Sequence, residues 1–327
     1  MNRQFRIRTV FCAAALLAAG AAAAEEPFYS PGDRVTVLMG FSPGGGSDVL
    51  AQLVQPYLAE ALGGAHFVNQ YQPGATGAIA WTQLAHQVKP DGATIAIVNT
   101  PMLTTNYIMN DAISYSIADL EFIANVVTDP GLAVVAADSP YQTFEDLIAA
   151  ARANPSTITV ANSGLGGDDF FTSIAIENSA DVKFQKVPFK GDGPSWTAAM
   201  GGKVDVSFNN LGITYPQIVE GNLRPLVVFT EERLPQLPDV PTAKELGYDV
   251  SGGSSRGYGI PKGFPKEARE QLIEAFRTIM QDPEFLAAAE KQAMTLDPMF
   301  GDDFTAFLQA QEAEYAEIWA SVQEQRQ

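Results

Sequence analysis

The chain has 327 residues, 46% of them hydrophobic and 18% charged, so it can bury a substantial core over about two domains and is not a disordered polymer. Its 20 Lys plus Arg stand against 38 Asp plus Glu, a net charge of −18, the wrong sign for a phosphate backbone, which excludes nucleic acid as a partner. One cysteine (Cys12) and two histidines (His66, His86) are too few soft ligands for a zinc or iron–sulfur centre, and no cofactor or metal is implied.

Arg3, Arg6 and Arg8 precede an uncharged run from Val10 to Ala24, with Ala22 and Ala24 in small-x-small spacing before Glu25. This is the layout of a secretory signal peptide over residues 1–24, too short and alanine-rich for a membrane span. Cleavage there removes the cysteine and three arginines, leaving 17 basic against 38 acidic residues, a net −21. The expectation is an exported, soluble protein of a bacterial periplasm that needs no disulfide and holds any anion by local donors rather than by its overall field.

In chain order, VTVLMG (35–40) reads as a strand entering the turn FSPGGG, and a helix follows from Ser47 to about Leu62, with Pro56 predicting a kink or two pieces. AHFVN (65–69) is a second strand, QPGATG (72–77) a second glycine loop, residues 78–87 a helix and TIAIVN (94–99) a third strand. Such alternation predicts an α/β fold with a mainly parallel, doubly wound sheet. FIANVV and GLAVVAA, a helix over 143–153, TITVAN, the loop SGLGG, a helix holding Phe170 and Phe171, then VDVSFNN (204–210) and LRPLVVFT (223–230) predict a second sheet. The proline-rich stretch 231–242 reads as a crossing segment, RGYGIP (256–261) as one more strand, and residues 266–280, 283–292 and 302–322 as a helical tail that packs back on the first lobe. The boundaries expected are 25–126 with 231–327 for one lobe and 127–230 for the other, with a ligand cleft between them.

FSPGGGSD (41–48), QPGATG (72–77) and NSGLGG (162–167) each join a predicted strand to a predicted helix. One such turn is explained by tight geometry and an N-cap such as Ser47. Three of them at strand carboxyl ends can converge on an anion through free helix N–H groups. None matches a nucleotide-binding pattern. Gly40-Phe41-Ser42-Pro43-Gly44 satisfies the G-x-S-x-G pattern of a nucleophile elbow, but Pro43 has no N–H for an oxyanion hole and no histidine follows His86. GSSRG (253–257) is a second match, but it runs into a strand rather than a helix and also has no downstream histidine, so a serine hydrolase using Ser42 or Ser255 is the weaker alternative. Asp168 and Asp169 open a helix, where they either serve the helix dipole or face a ligand cation. Phe170, Phe171, Trp196 and Phe208 fit core positions or a pocket for an aromatic ligand. Arg256, a lone cation between SGGSS and GYGIP, suits either a surface ion pair or a bidentate grip on a carboxylate.

Taken together, FSPGGGSD, NQYQPGATG with KPDG, ANSGLGG, VPFKGDGPSWTAAMGGKVD, LPDVPTAKELGY and RGYGIPKGFP cover nearly the whole mature chain in order. In these segments the chain resembles the solute-binding receptors of tripartite tricarboxylate transporters, the Bug or TctC family. The resemblance implies a two-lobed, type II Venus-flytrap receptor, monomeric and without catalytic activity, that captures a small organic carboxylate and delivers it to integral-membrane permease subunits; a receptor serving a signalling partner would look the same. Carried over by position, Phe41, Gly44, Gly45, Ser47 and Asp48 with Gly74, Ala75, Thr76 and Gly77 hold one carboxylate, and Asn99 lies beside them. Ser163, Gly164, Asp168, Lys190, Gly191, Asn209 and Asn210 read the rest of the ligand from the opposite lobe, and Arg256 completes the set. Thr76 stands where many relatives have glycine, and an inward Asp168 or Asp169 would favour a monocarboxylate or an amino-acid-like ligand over citrate.

Overall fold

The computed structural model describes residues 27–43, 46–189, 191–292 and 294–324. The segment 1–24 expected to be an export signal, Gly44, Gly45 and Lys190 lie outside the described residues. No described helix is long and apolar enough to cross a membrane.

The first half of the chain builds β1 (Arg34–Met39), α1 (Gly46–Ala61), β2 (His66–Tyr71), α2 (Ala78–His86), β3 (Thr94–Thr100) and α3 (Met102–Met109). A long strand β4 (Leu120–Ala136) leads into α4 (Phe144–Ala153), β5 (Thr159–Asn162), α5 (Asp168–Ala180), β6 (Gln185–Pro188), α6 (Asp192–Met200), β7 (Val206–Asn210), α7 (Leu211–Val219) and β8 (Leu223–Val228). The chain returns through β9 (Gly253–Pro261), α8 (Lys266–Ile279), α9 (Pro283–Lys291), β10 (Leu296–Phe300) and α10 (Asp302–Glu324). Strand order is β2-β1-β3-β9-β4-β7-β5-β6, with β8 and β10 also on β4.

Two parallel trios, β2-β1-β3 and β6-β5-β7, are the α/β halves that alternation of strand and helix anticipates. The joining strands are antiparallel: β9 runs between β3 and β4, and β4 pairs antiparallel with β7, β8 and β10. FIANVV and GLAVVAA are thus one strand of 17 residues, almost wholly buried, that passes from one lobe to the other. It is buried on both faces, so it carries no alternation to mark its continuity. Each half has its own core. One packs α1, α8 and α9 on the first sheet, where Ala268, Leu272, Ala275, Phe276 and Ile279 form the buried stripe of α8. The other packs Phe144, Leu147 and Ile148 of α4 with Ile176, Phe208 and Phe229.

Several elements depart from the expectations. α1 runs as one helix through Pro56, which sits on its exposed side. The strand β10 and the helices α3, α6 and α7, which show little amphipathic period, have no counterpart in the sequence reading. α10 does not pack on the first lobe alone: Tyr107 OH on α3 donates to Glu312, while Phe171 on α5 meets the Tyr315 ring edge-on at 4.9 Å, so the helix touches both halves.

The two crossing strands leave no room between them at Gly257. A Cβ there would stand 2.4 Å from the Ala124 carbonyl oxygen, 2.8 Å from the Phe304 ring and 2.9 Å from Asn125 Cα. Gly257→Ala is expected to lower Tm by roughly 4–10 °C in a calorimetric scan, the cost of overpacking a rigid backbone contact; an unchanged Tm would show that β4 and β9 can separate freely.

Candidate functional site

The strand ends that face one another across the halves are the carboxyl ends of β1, β3, β5, β6 and β7, where an open α/β sheet leaves its crevice. A cleft of about 580 Å³ lies there. Its first wall includes Phe41, Gly46, Ser47, Thr76, Asn99 and Met102, and its second Ser163, Gly164, Leu165, Phe189, Gly191 and Asp192, with Arg256 contributed by β9.

On the first wall, Asn99 at the end of β3 donates through Nδ2 to Ser47 Oγ at 2.9 Å, and the hydroxyl donates back to Asn99 Oδ1 at 3.1 Å. Both are buried, and the pair fixes the start of α1 against the sheet. The second glycine loop is held by close backbone approach. A Cβ on Gly40 would fall 2.7 Å from Gly77 Cα, and Gly77, at φ +90°, has the Trp81 ring 2.5 Å from the place a Cβ would take. Ala75 and Thr76 adopt left-handed φ values of 46° and 52°, and Asn106 Nδ2 donates to the Thr76 carbonyl at 3.1 Å. This strained turn presents Thr76 to the cleft.

On the second wall, the Ser163 carbonyl accepts from Gly191 N–H at 2.9 Å, which ties the loop after β5 to the loop after β6. Asp169 accepts from Ser163 N–H and, at 3.0 Å, from Ser163 Oγ. Asp168 accepts from Asn210 Nδ2 at 2.8 Å, and the same amide donates to the Asp129 carbonyl at 3.1 Å. Asn209 Nδ2 donates to the Asp192 carbonyl at 3.2 Å. Thr105 Oγ1 of α3 donates to the Gly166 carbonyl at 2.7 Å, a direct link between the lobes beside the cleft.

Not every residue singled out from sequence lines the cleft. Phe41, Ser47, Thr76, Asn99, Ser163, Gly164, Gly191 and Arg256 do. Asp48 is turned away and accepts from Tyr71 OH at 2.6 Å and Gln52 Nε2 at 2.9 Å, tying α1 to β2. Gly74, Ala75 and Gly77 shape the turn behind Thr76, while Asp168, Asn209 and Asn210 form the hydrogen-bonded layer beneath the second wall. Phe171 and Phe208 are core residues, and the rings that reach the cleft are Phe41 and Phe189. Ser255 is buried with its hydroxyl 2.9 Å from Thr128 Oγ1, whereas Ser42 is exposed. His86 Nε2 meets the Ser114 carbonyl at 2.9 Å, and His66 is exposed on β2.

The sequence reading missed Asp192, Met102, Leu165, Phe189 and Ile213 on the cleft walls. Asp192 was reachable, since it opens a helix after FKG just as Ser47 opens one after GGG. The acid that fronts the cleft is therefore Asp192 rather than Asp168 or Asp169.

Electrostatics follow from burial. Desolvation raises the Asp168 carboxyl to about 7, helped by the neighbouring Asp192 and opposed by the Asn210 hydrogen bond. Asp169 is pushed well above the ordinary carboxylate range by burial and then by Asp168. Asp192 and Asp129 are also raised by burial, each against the pull of Arg256. Burial thus works against the charged form of all four carboxyls, most strongly at Asp168 and Asp169, and Arg256 is the nearby cation that opposes it at Asp129 and Asp192. That guanidinium, with its side chain only 12% exposed, has Asp129 Oδ2 at 3.7 Å, farther than the roughly 2.7–2.9 Å of a tight charge-assisted hydrogen bond. Arg256 lines the cleft, and a guanidinium carries five N–H donors, more than its contact with Asp129 uses.

Residues 50–323 match the family model described as the tripartite tricarboxylate transporter family receptor. The chain is 30% identical over 297 residues to the UPF0065 protein in the gbd 5'region of Cupriavidus necator, covering 89% of each chain. Among solved structures it is similar to a TctC solute-binding protein from Polaromonas (TM-score 0.75, 28% identity, 89% of this chain and 98% of that one). It is also similar to an R. palustris protein solved with adipate (TM-score 0.79, 26% identity, 88% and 96%). With that match over most of its length, and a two-lobed fold whose strand ends enclose a cleft, the chain belongs to the tripartite tricarboxylate transporter receptor family of periplasmic solute-binding proteins.

Proposed function

We propose that this protein captures a small organic carboxylate in the periplasm, after removal of residues 1–24, and presents it to the membrane components of a tripartite transporter. The observation that carries this reading is Arg256, a nearly buried guanidinium on the cleft floor whose only ion pair among the described residues is the long one to Asp129. Ser47 Oγ and the Thr76 turn stand on the same cleft and supply further donors. The lobes in this reading are residues 25–126 with 231–327 and residues 127–230, hinged where β4 and β9 cross, and closure buries the ligand between them. A protein of similar fold was solved with adipate, which supports a carboxylate as the ligand class.

The test is a thermal-shift screen of unfolded and refolded protein against carboxylates, amino acids and neutral controls, followed by calorimetry. A ligand at a hundredfold excess over its Kd adds about 2.7 kcal/mol of stability. Ser47→Ala is expected to weaken the selected carboxylate about three- to tenfold, the worth of one hydrogen bond, and to lower Tm of the free protein by roughly 2–10 °C, because buried Asn99 loses its partner. Binding confined to neutral solutes would overturn the carboxylate reading.

A further inference from the structure

Arg256 does not end the site. A second compartment of about 240 Å³ lies on its other side, and Gly46, Ile213 and Arg256 line both spaces. Its apolar lining comes from Val49 and Leu50 of α1, Val127 of β4, Ile213 of α7 and Met294 before β10. Asp129 is the acidic group there, and it is occupied by Gly212 N–H at 2.8 Å and by Arg256, while Gln292 and Thr295 stand at the margin. Arg256 packs directly against the backbone of residue 46, where a Cβ would stand 2.9 Å from its Nε, so only a glycine there leaves the guanidinium its place between the two spaces. Val49, on this wall, is an apolar side chain left 39% exposed.

We infer that the binding site continues past Arg256 into this compartment, which accepts the alkyl or aryl tail of a monocarboxylate whose carboxylate is held at Arg256. The inference rests on the carboxylate reading above and narrows it to a ligand class. Size permits it, since an apolar cavity of about 150 Å³ already takes up benzene. Chemistry selects it. An apolar tail gains by leaving water against Val49, Leu50, Val127, Ile213 and Met294, whereas a second carboxylate in the same place loses hydration beside Asp129, with only Gln292 and Thr295 at the margin, besides the Arg256 that holds the first carboxylate, to replace it.

The test is calorimetry of the refolded protein with propionate, butyrate, hexanoate, octanoate and phenylacetate, and with succinate and adipate as dicarboxylate counterparts. Affinity is expected to rise about fourfold per methylene until the compartment is full, with hexanoate ahead of adipate. Val49→Trp, at an exposed position, fills the compartment and is expected to abolish the gain for octanoate and phenylacetate while leaving the shortest measurable acid within about twofold of its original affinity. Gln292→Trp fills it from the opposite margin and is expected to do the same. An affinity independent of chain length, a preference for adipate over hexanoate, or a loss shared equally by short and long acids in both variants would overturn the tail compartment and leave the carboxylate reading standing. If no acid of either series binds the folded protein, both readings fall.

Discussion

Replacing Arg256 with methionine is expected to weaken carboxylate binding by at least about thirtyfold. Truncating one partner of a buried, hydrogen-bonded charge pair costs about 2–5 kcal/mol or more, and each 1.4 kcal/mol is about tenfold in Kd. Methionine keeps the apolar stem that packs beside Gly46 and between the two compartments, so the loss reports the guanidinium rather than its packing. The substitution also leaves Asp129 buried with Gly212 N–H but without its cation. Free Arg256→Met protein is therefore expected to be less stable than the parent at pH 8 and to recover as Asp129 takes up a proton on acidification. Adding Asp129→Asn separates the two effects: the double variant regains stability at pH 8 and still fails to bind. Calorimetry and a thermal melt on the same three proteins decide the matter, and tight binding by the double variant would remove Arg256 from the site.

Asp168→Asn is expected to stabilise the free protein at pH 8 and to flatten its dependence on pH. The Asp168 carboxyl is raised to about 7 from the ordinary 3.8, chiefly by burial. Between those values the folded state holds a proton that the unfolded state has released, so stability falls as pH rises from about 4 through 7 and levels off above. At pH 8 the penalty for ionising this carboxyl is on the order of 4 kcal/mol. An asparagine carries no charge, and its amide oxygen can still accept from Asn210 Nδ2. Even 1 kcal/mol of this gain is worth about 2–4 °C in Tm, so melts at pH 5 and pH 8 resolve it. A variant less stable than the parent at pH 8 would mean that Asp168 is held as a carboxylate. Asp169 and Asp192 titrate in the same direction, so some dependence on pH survives in the variant.

Local chemistry alone carried much of this protein. A glycine loop between a strand and a helix is a requirement of nearby backbone, and FSPGGGSD, QPGATG and NSGLGG all stand at strand ends in the fold. Strands and amphipathic helices such as β3 and α8 were readable for the same reason, since their periods lie within a single segment. α3, α6 and α7 were not, because they are short helices at the cleft and the inner layers, where contacts with distant strands replace an amphipathic stripe.

Side-chain direction within the site belonged to tertiary structure. Arg256 reaches the cleft because β9 returns antiparallel between β3 and β4, which sets Asn99 opposite Arg256 on one side and Val127 on the other. No window of sequence contains that pairing. Asp48 and Ser47 are neighbours in the same motif, yet Tyr71 draws one away while Asn99 holds the other at the cleft. Asp168 and Asp169 likewise turn to Asn210 and Ser163 and leave the cleft wall to Asp192. Composition shows an acidic chain whose overall field does not favour an anion; only burial, a property of the packed fold, decides which of its carboxyls are pushed toward the protonated form.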